Sequence, residues 1–131
     1  MKLEDYFKIW GTYELKDGVY NVNGDVRLNK CVEKLPVKFG KVTGSFNCSN
    51  NNLITLEGCP KIVGREFDCS YNSLTSLKGC PTHVGGNFVC DMKLHNNKEY
   101  RQFKIMKKLK DEIFFLKKNF FKRTKKIYCH Y

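Results

Sequence analysis

The sequence predicts a short solenoid of stacked 21-residue coils, with a β-hairpin at its N-terminal end and a basic amphipathic helix at its C-terminal end. Three observations carry this. Residues 44–64 and 65–85 repeat one pattern in register, residues 13–22 alternate around an Asp-Gly, and the chain beyond Asn97 contains neither glycine nor proline. The expected organisation is an N-terminal cap over residues 1–23, a solenoid of about three to four coils over 24–95, and a helix packed on the last coil over 96–131.

A chain of 131 residues is long enough for one domain with a real core. The composition, 41% hydrophobic and 14% aromatic, is that of a folded protein. The start, Met1 to Tyr6, is polar and acidic where a signal peptide would be basic and then apolar. No apolar run reaches the about eighteen residues of a membrane span. Synthesis and residence in the cytoplasm, with reduced thiols, are therefore expected. Seven cysteines, an odd number, also make a poor disulfide framework.

Tyr13 to Val22 alternate apolar and polar residues around Asp17-Gly18, the strongest short-range hairpin signal. Before it, Leu3, Tyr6, Phe7, Ile9 and Trp10 are expected on the first coil as a short helix or an extended segment. Trp10 reads as a capping aromatic, with partner binding as the alternative.

In the repeat, Phe46, Phe67 and Phe88 are 21 residues apart, and so are Cys48, Cys69 and Cys90. The register continues through Asn51/Asn72, Leu53/Leu74, Leu56/Leu77, Cys59/Cys80, Pro60/Pro81 and Val63/Val84. Val26, Leu28, Leu35 and Val42 extend it upstream with one residue of slippage. Phe67-x-Cys69 has period two, which places both side chains on one face of a short strand. Asn72 then turns the chain by bonding backbone groups through its amide, and stacked asparagines would form a ladder. Leu74, Leu77, Cys80 and Val84 point inward from the rest of the coil. One coil cannot bury its own core, so stacking is required, with a parallel sheet on one side of a right-handed solenoid. The third unit loses the asparagine and leucine, with Lys93 and His95 in their places, and the array should end there.

Phe67-x-Cys69-x-x-Asn72-x-Leu74 resembles the LxLxxNxL segment of leucine-rich repeats, and the Cys-Pro remainder is similar to short repeats of bacterial effectors. The repeats are most similar to those of small leucine-rich-repeat proteins of tailed bacteriophages, with their VGGxFxCSxNxLTSLEGCP units. Leu35 to Cys48 also looks like the LPxKFGKVTGxFxC entry of those proteins, and the likeness covers roughly residues 12–92. The resemblance implies a non-enzymatic binding scaffold, expected in the host cytoplasm. By analogy with other small phage inhibitors, it would bind and inhibit a host macromolecular complex, for example a nucleic-acid-handling defence complex such as a CRISPR effector.

Residues 98–131 hold 12 of the 24 Lys/Arg and 3 of the 13 Asp/Glu. Asn96 or Asn97 is the expected N-cap, with Glu99 in the first turn. Phe103, Met106, Leu109, Ile113, Leu116 and Phe120 form an amphipathic stripe, expected to pack on the last repeat. Lys104, Lys107, Lys108, Lys118, Lys122, Lys125 and Lys126 cluster opposite it, with Phe115 among them. With Arg101 and Arg123 these residues are one candidate partner-binding surface, able to neutralise phosphates and stack on bases. A solvated face that only aids solubility is the plain alternative. The other candidate is the sheet face, polar and mildly acidic, at Glu66, Asp68, Asn87 and Asp91.

No nucleotide-binding, metalloprotease or serine-hydrolase motif occurs, and no catalytic residue or cofactor is expected. The cysteine columns lack CxxC spacing and read as reduced core residues. Cys129-His130 is a weak metal pair at best. Two functions follow as expectations: an interaction protein acting on a host protein or ribonucleoprotein complex, or direct nucleic-acid binding through the basic helix. A membrane partner is not expected, because the apolar face is needed for packing.

Overall fold

The computed structural model describes residues 2–128, with side chains described through residue 119. The chain is a parallel β-solenoid whose coils advance by about 21 residues, followed by one helix. Strands β1 (Phe7–Lys16) and β2 (Val19–Leu28) form an antiparallel hairpin. Its turn, Asp17-Gly18, has positive φ at both residues, the conformation whose twist matches the flanking strands. Leu3–Asp5 form one 3-10 turn before it, and Leu3 and Phe7 are buried in the core.

The hairpin is continuous with the solenoid. β2 runs past residue 23, and its first half pairs with β3 (Lys38–Val42), its second half with β4 (Phe46–Asn47). Two parallel ladders grow from it. One adds β5 (Ile62–Val63) and β7 (His83–Val84), the other β6 (Phe67–Asp68) and β8 (Phe88–Val89). Each repeat thus contributes two short strands, where the Phe-x-Cys spacing alone predicts one.

Glycine separates the two strands of every rung. Gly11 faces Gly24 in the hairpin, Gly44 lies against Gly24, and Gly64 and Gly85 stack in turn above Thr43. A Cβ at Gly64 would run into the Thr43 carbonyl oxygen, and one at Gly85 into that of Gly64. The coils stack this closely at the bend because no side chain stands between them.

The core is a column of rings. Phe39 meets Phe46 at 5.1 Å, Phe46 stacks on Phe67 at 6.1 Å, and Phe67 meets Phe88 at 5.1 Å. Leu53, Leu56, Leu74 and Leu77 are completely buried beside them. Each such side chain contributes about 1.5–3 kcal/mol through removal from water. The expected asparagine ladder is present. Asn51 Oδ1 accepts from Val32 N at 3.0 Å, and Asn72 Oδ1 accepts from Leu53 N at 3.0 Å. Asn72 Nδ2 donates to the carbonyls of Cys48 (2.9 Å) and Cys69 (3.2 Å), joining two coils through one side chain.

The third unit ends differently from its sequence register. A 3-10 turn, Met92–Leu94, shortens it by one residue, so Leu94 is buried in place of the leucine missing at 95. The His95 ring lies 3.3 Å from the Cys90 carbonyl and stacks at 4.4 Å on Tyr100. Helix α1 (Lys98–Tyr128) follows, with Asn97 Oδ1 accepting from Glu99 N at its start.

Candidate functional site

Helix α1 does not lie along the solenoid as its apolar stripe predicts. Among the described residues, its first turns hold it. Tyr100 is buried, Phe103 packs at 5.1 Å on Phe88, and half-buried Lys107 donates to the Gly86 carbonyl and to Asn87 Oδ1, both at 3.4 Å. Met106, Leu109, Ile113 and Leu116 are instead 53%, 47%, 52% and 65% exposed. The reason is angular. At about 100° per residue, the anchoring face of Tyr100, Phe103 and Lys107 takes in the stripe's first residue, and Leu109, Ile113 and Leu116 fall on the far side. Tyr100 falls outside the stripe's periodicity, so pattern reading alone passes over it.

This arrangement divides the basic residues. Lys107 is a docking residue, not part of a free cationic face. Arg101, Lys104, Lys108 and Lys118 are exposed, and Lys104 Nζ sits 5.5 Å above the Tyr100 ring. Phe115 is 63% exposed beside an open groove that Lys104, Lys108 and Asp111 also line. Lys122, Arg123, Lys125 and Lys126 belong to the same helix, but their side chains lie outside those described. Cys129 and His130 lie outside the described residues altogether.

The sheet-face candidates are mostly committed to the fold. Asp68 Oδ1 accepts from both the amide (3.0 Å) and the hydroxyl (2.6 Å) of Ser70, as Asn47 does for Ser49 one coil earlier. Asp91 Oδ1 accepts from Tyr71 N at 2.7 Å and holds the last full turn. Asn87 is taken by Lys107, so the structure joins one member of each expected surface in a single structural contact. Glu66 remains exposed.

The thiols are environments for packing. Hydrogen bonding to Cys59, then burial, raises the Cys48 pKa well above its ordinary value. Burial likewise raises Cys69, and its thiol donates to the Val89 carbonyl at 3.5 Å. Cys80 and Cys90 are pushed up by burial to about 11. Such thiols stay protonated at neutral pH and are poor nucleophiles. Among the described residues, no group of three or more His, Cys, Asp and Glu could hold a metal, and no helix is long and apolar enough to cross a membrane. No protein family, curated protein or solved structure matches this chain.

Proposed function

We propose that this protein is a non-catalytic binding scaffold of the leucine-rich-repeat type, acting through the basic side of α1 on an anionic surface of a host macromolecular complex. The carrying observation is the exposure of Arg101, Lys104, Lys108 and Lys118 around Phe115, on a helix that, among the described residues, is anchored by its first turns. A projecting cationic helix reaches phosphates or a carboxylate-lined groove without moving the solenoid, and lysine stems with an exposed ring add apolar contact. The sheet face supports the reading less well, since Asp68 and Asp91 are spent on turns. A phage-derived inhibitor of a nucleic-acid-handling complex is the concrete form of this proposal; the resemblance of the repeats supports the phage scaffold, and the inhibitory role rests on analogy with other small phage inhibitors.

Direct nucleic-acid binding is the second reading, favoured by Phe115 standing among lysines, where a base could stack. Recovery from host lysate with and without nuclease separates the two. One complex recovered despite nuclease supports the protein partner, and recovery lost with nuclease supports nucleic acid. Recovery unchanged by charge reversal at Lys108 and Lys118 would remove the helix from both readings.

A further inference from the structure

Beyond Phe103, the described residues of the apolar stripe of α1 are left exposed by the solenoid. Met106, Leu109, Ile113 and Leu116 follow at intervals of three, four and three, and Phe120 continues the spacing in sequence. These are the a and d positions of a heptad seam, with Met106 and Ile113 at a, Leu109 and Leu116 at d. A helix that packed on its own solenoid would bury this stripe, yet all four residues are about half exposed or more. We propose that α1 pairs with the α1 of a second copy as a parallel two-stranded coiled coil along this seam.

The occupant and its orientation follow from residue type and charge. A β-branched residue at a with leucine at d favours two strands. Glu112 stands at g and Lys117 at e, five residues on, the pair that meets across a parallel seam. Two-fold symmetry makes this ion pair twice. In an antiparallel pairing e would face e, setting Lys110 and Lys117 against lysines of the other chain. Tyr100 and Lys107 point away from the seam and Phe103, at an e position, flanks its start, so each solenoid sits beside the N-terminal end of the helix pair. Lys108 and Lys118 occupy c and f positions and point outward from both copies.

The net positive charge of α1 opposes this pairing, which gives it a salt signature. Screening the like charges strengthens the dimer, whereas binding to an anionic partner weakens with salt. The inference is therefore independent of the proposed function, and each fails on its own measurement. The test is sedimentation equilibrium of the full chain between about 0.05 and about 0.5 M salt. The expected mass rises from that of one 15.3 kDa chain toward twice that value with concentration, and does so more readily at high salt. Leu109→Glu with Ile113→Glu should hold the protein monomeric while its melting curve stays unchanged, because neither residue is in the solenoid core. Glu112→Lys should weaken the dimer, and adding Lys117→Glu should restore it, as a parallel g–e pair requires. A single-chain mass under all conditions overturns the proposal, as does a dimer indifferent to the seam substitutions. A seam-dependent dimer that the charge swap fails to restore overturns the parallel pairing.

Discussion

Asn72 shows what one side chain contributes when it repeats along a stack. Its amide holds groups on two successive coils, so Asn72→Ala leaves Leu53 N and the Cys48 carbonyl without partners. The expected loss is roughly 1–3 kcal/mol, read as a lower urea midpoint. Asn51→Ala should cost less, since Asn51 accepts from Val32 N nearer the end of the stack. Equal tolerance of both replacements would argue against the ladder as a source of stability. The thiols make a second residue-scale prediction. Folded Cys69 keeps its proton above the ordinary thiol value of 9.0, while the unfolded chain loses it there. The stabilisation is thus complete below about pH 9 and falls as pH rises, by up to about 1.4 kcal/mol per unit for each such thiol. Cys80 and Cys90 add to this slope only up to about 11. Cys69→Ala should cost roughly 1–3 kcal/mol at neutral pH through lost burial. It should also flatten the alkaline slope by about one thiol's share, measured by urea unfolding under reducing conditions. An unchanged slope would mean that Cys69 does not titrate differently on unfolding.

Among the elements, the strands depend on an absence of side chains at their bend. Gly64 sits against the Thr43 backbone below it, and Gly85 sits against Gly64 above. Backbone cannot rotate away as a side-chain tip can, so Gly64→Ala must spread the stack on one side. The expected cost is roughly 1–3 kcal/mol or more, the range of overpacked sites. Thermal melts check it, and an alanine variant as stable as the parent would show that the coils can separate there freely. Part of the column was readable in the sequence, since Gly64 and Gly85 recur at the 21-residue spacing, whereas the same register places Thr43 below them. Helix α1 was readable as an element but not as a contact. Its period gives the apolar face, whereas its anchor is set by Tyr100 meeting Phe88 and His95.

The whole molecule separates a nearly neutral solenoid from a helix carrying most of the net positive charge. Exposed lysines on α1 can change sign without touching the core. Lys108→Glu with Lys118→Glu should leave the melting temperature within a few degrees. The same change at Lys107 should destabilise the docked helix, because its ammonium bonds Gly86 and Asn87. If the partner is nucleic acid, affinity falls steeply with salt, and each lost phosphate contact makes that slope shallower by about 0.7 to 0.9. Filter binding across a salt series measures both. A slope that the substitutions leave unaltered would place the phosphate contacts elsewhere.

The sequence by itself determined the parallel solenoid, its inward columns, the Asp-Gly hairpin, the asparagine ladder and the existence of α1. All of these follow from spacing, because a stacked coil translates sequence period directly into spatial register. Tertiary structure alone decided the direction in which α1 leaves, the engagement of Lys107, and the commitment of Asp68 and Asp91 to turns. Those outcomes depend on which groups reach one another across the end of the stack, and a period along one chain does not encode such distances. The same holds for the third unit, where a single 3-10 turn moved the buried leucine from position 95 to Leu94 and gave His95 a place beside the Cys90 carbonyl.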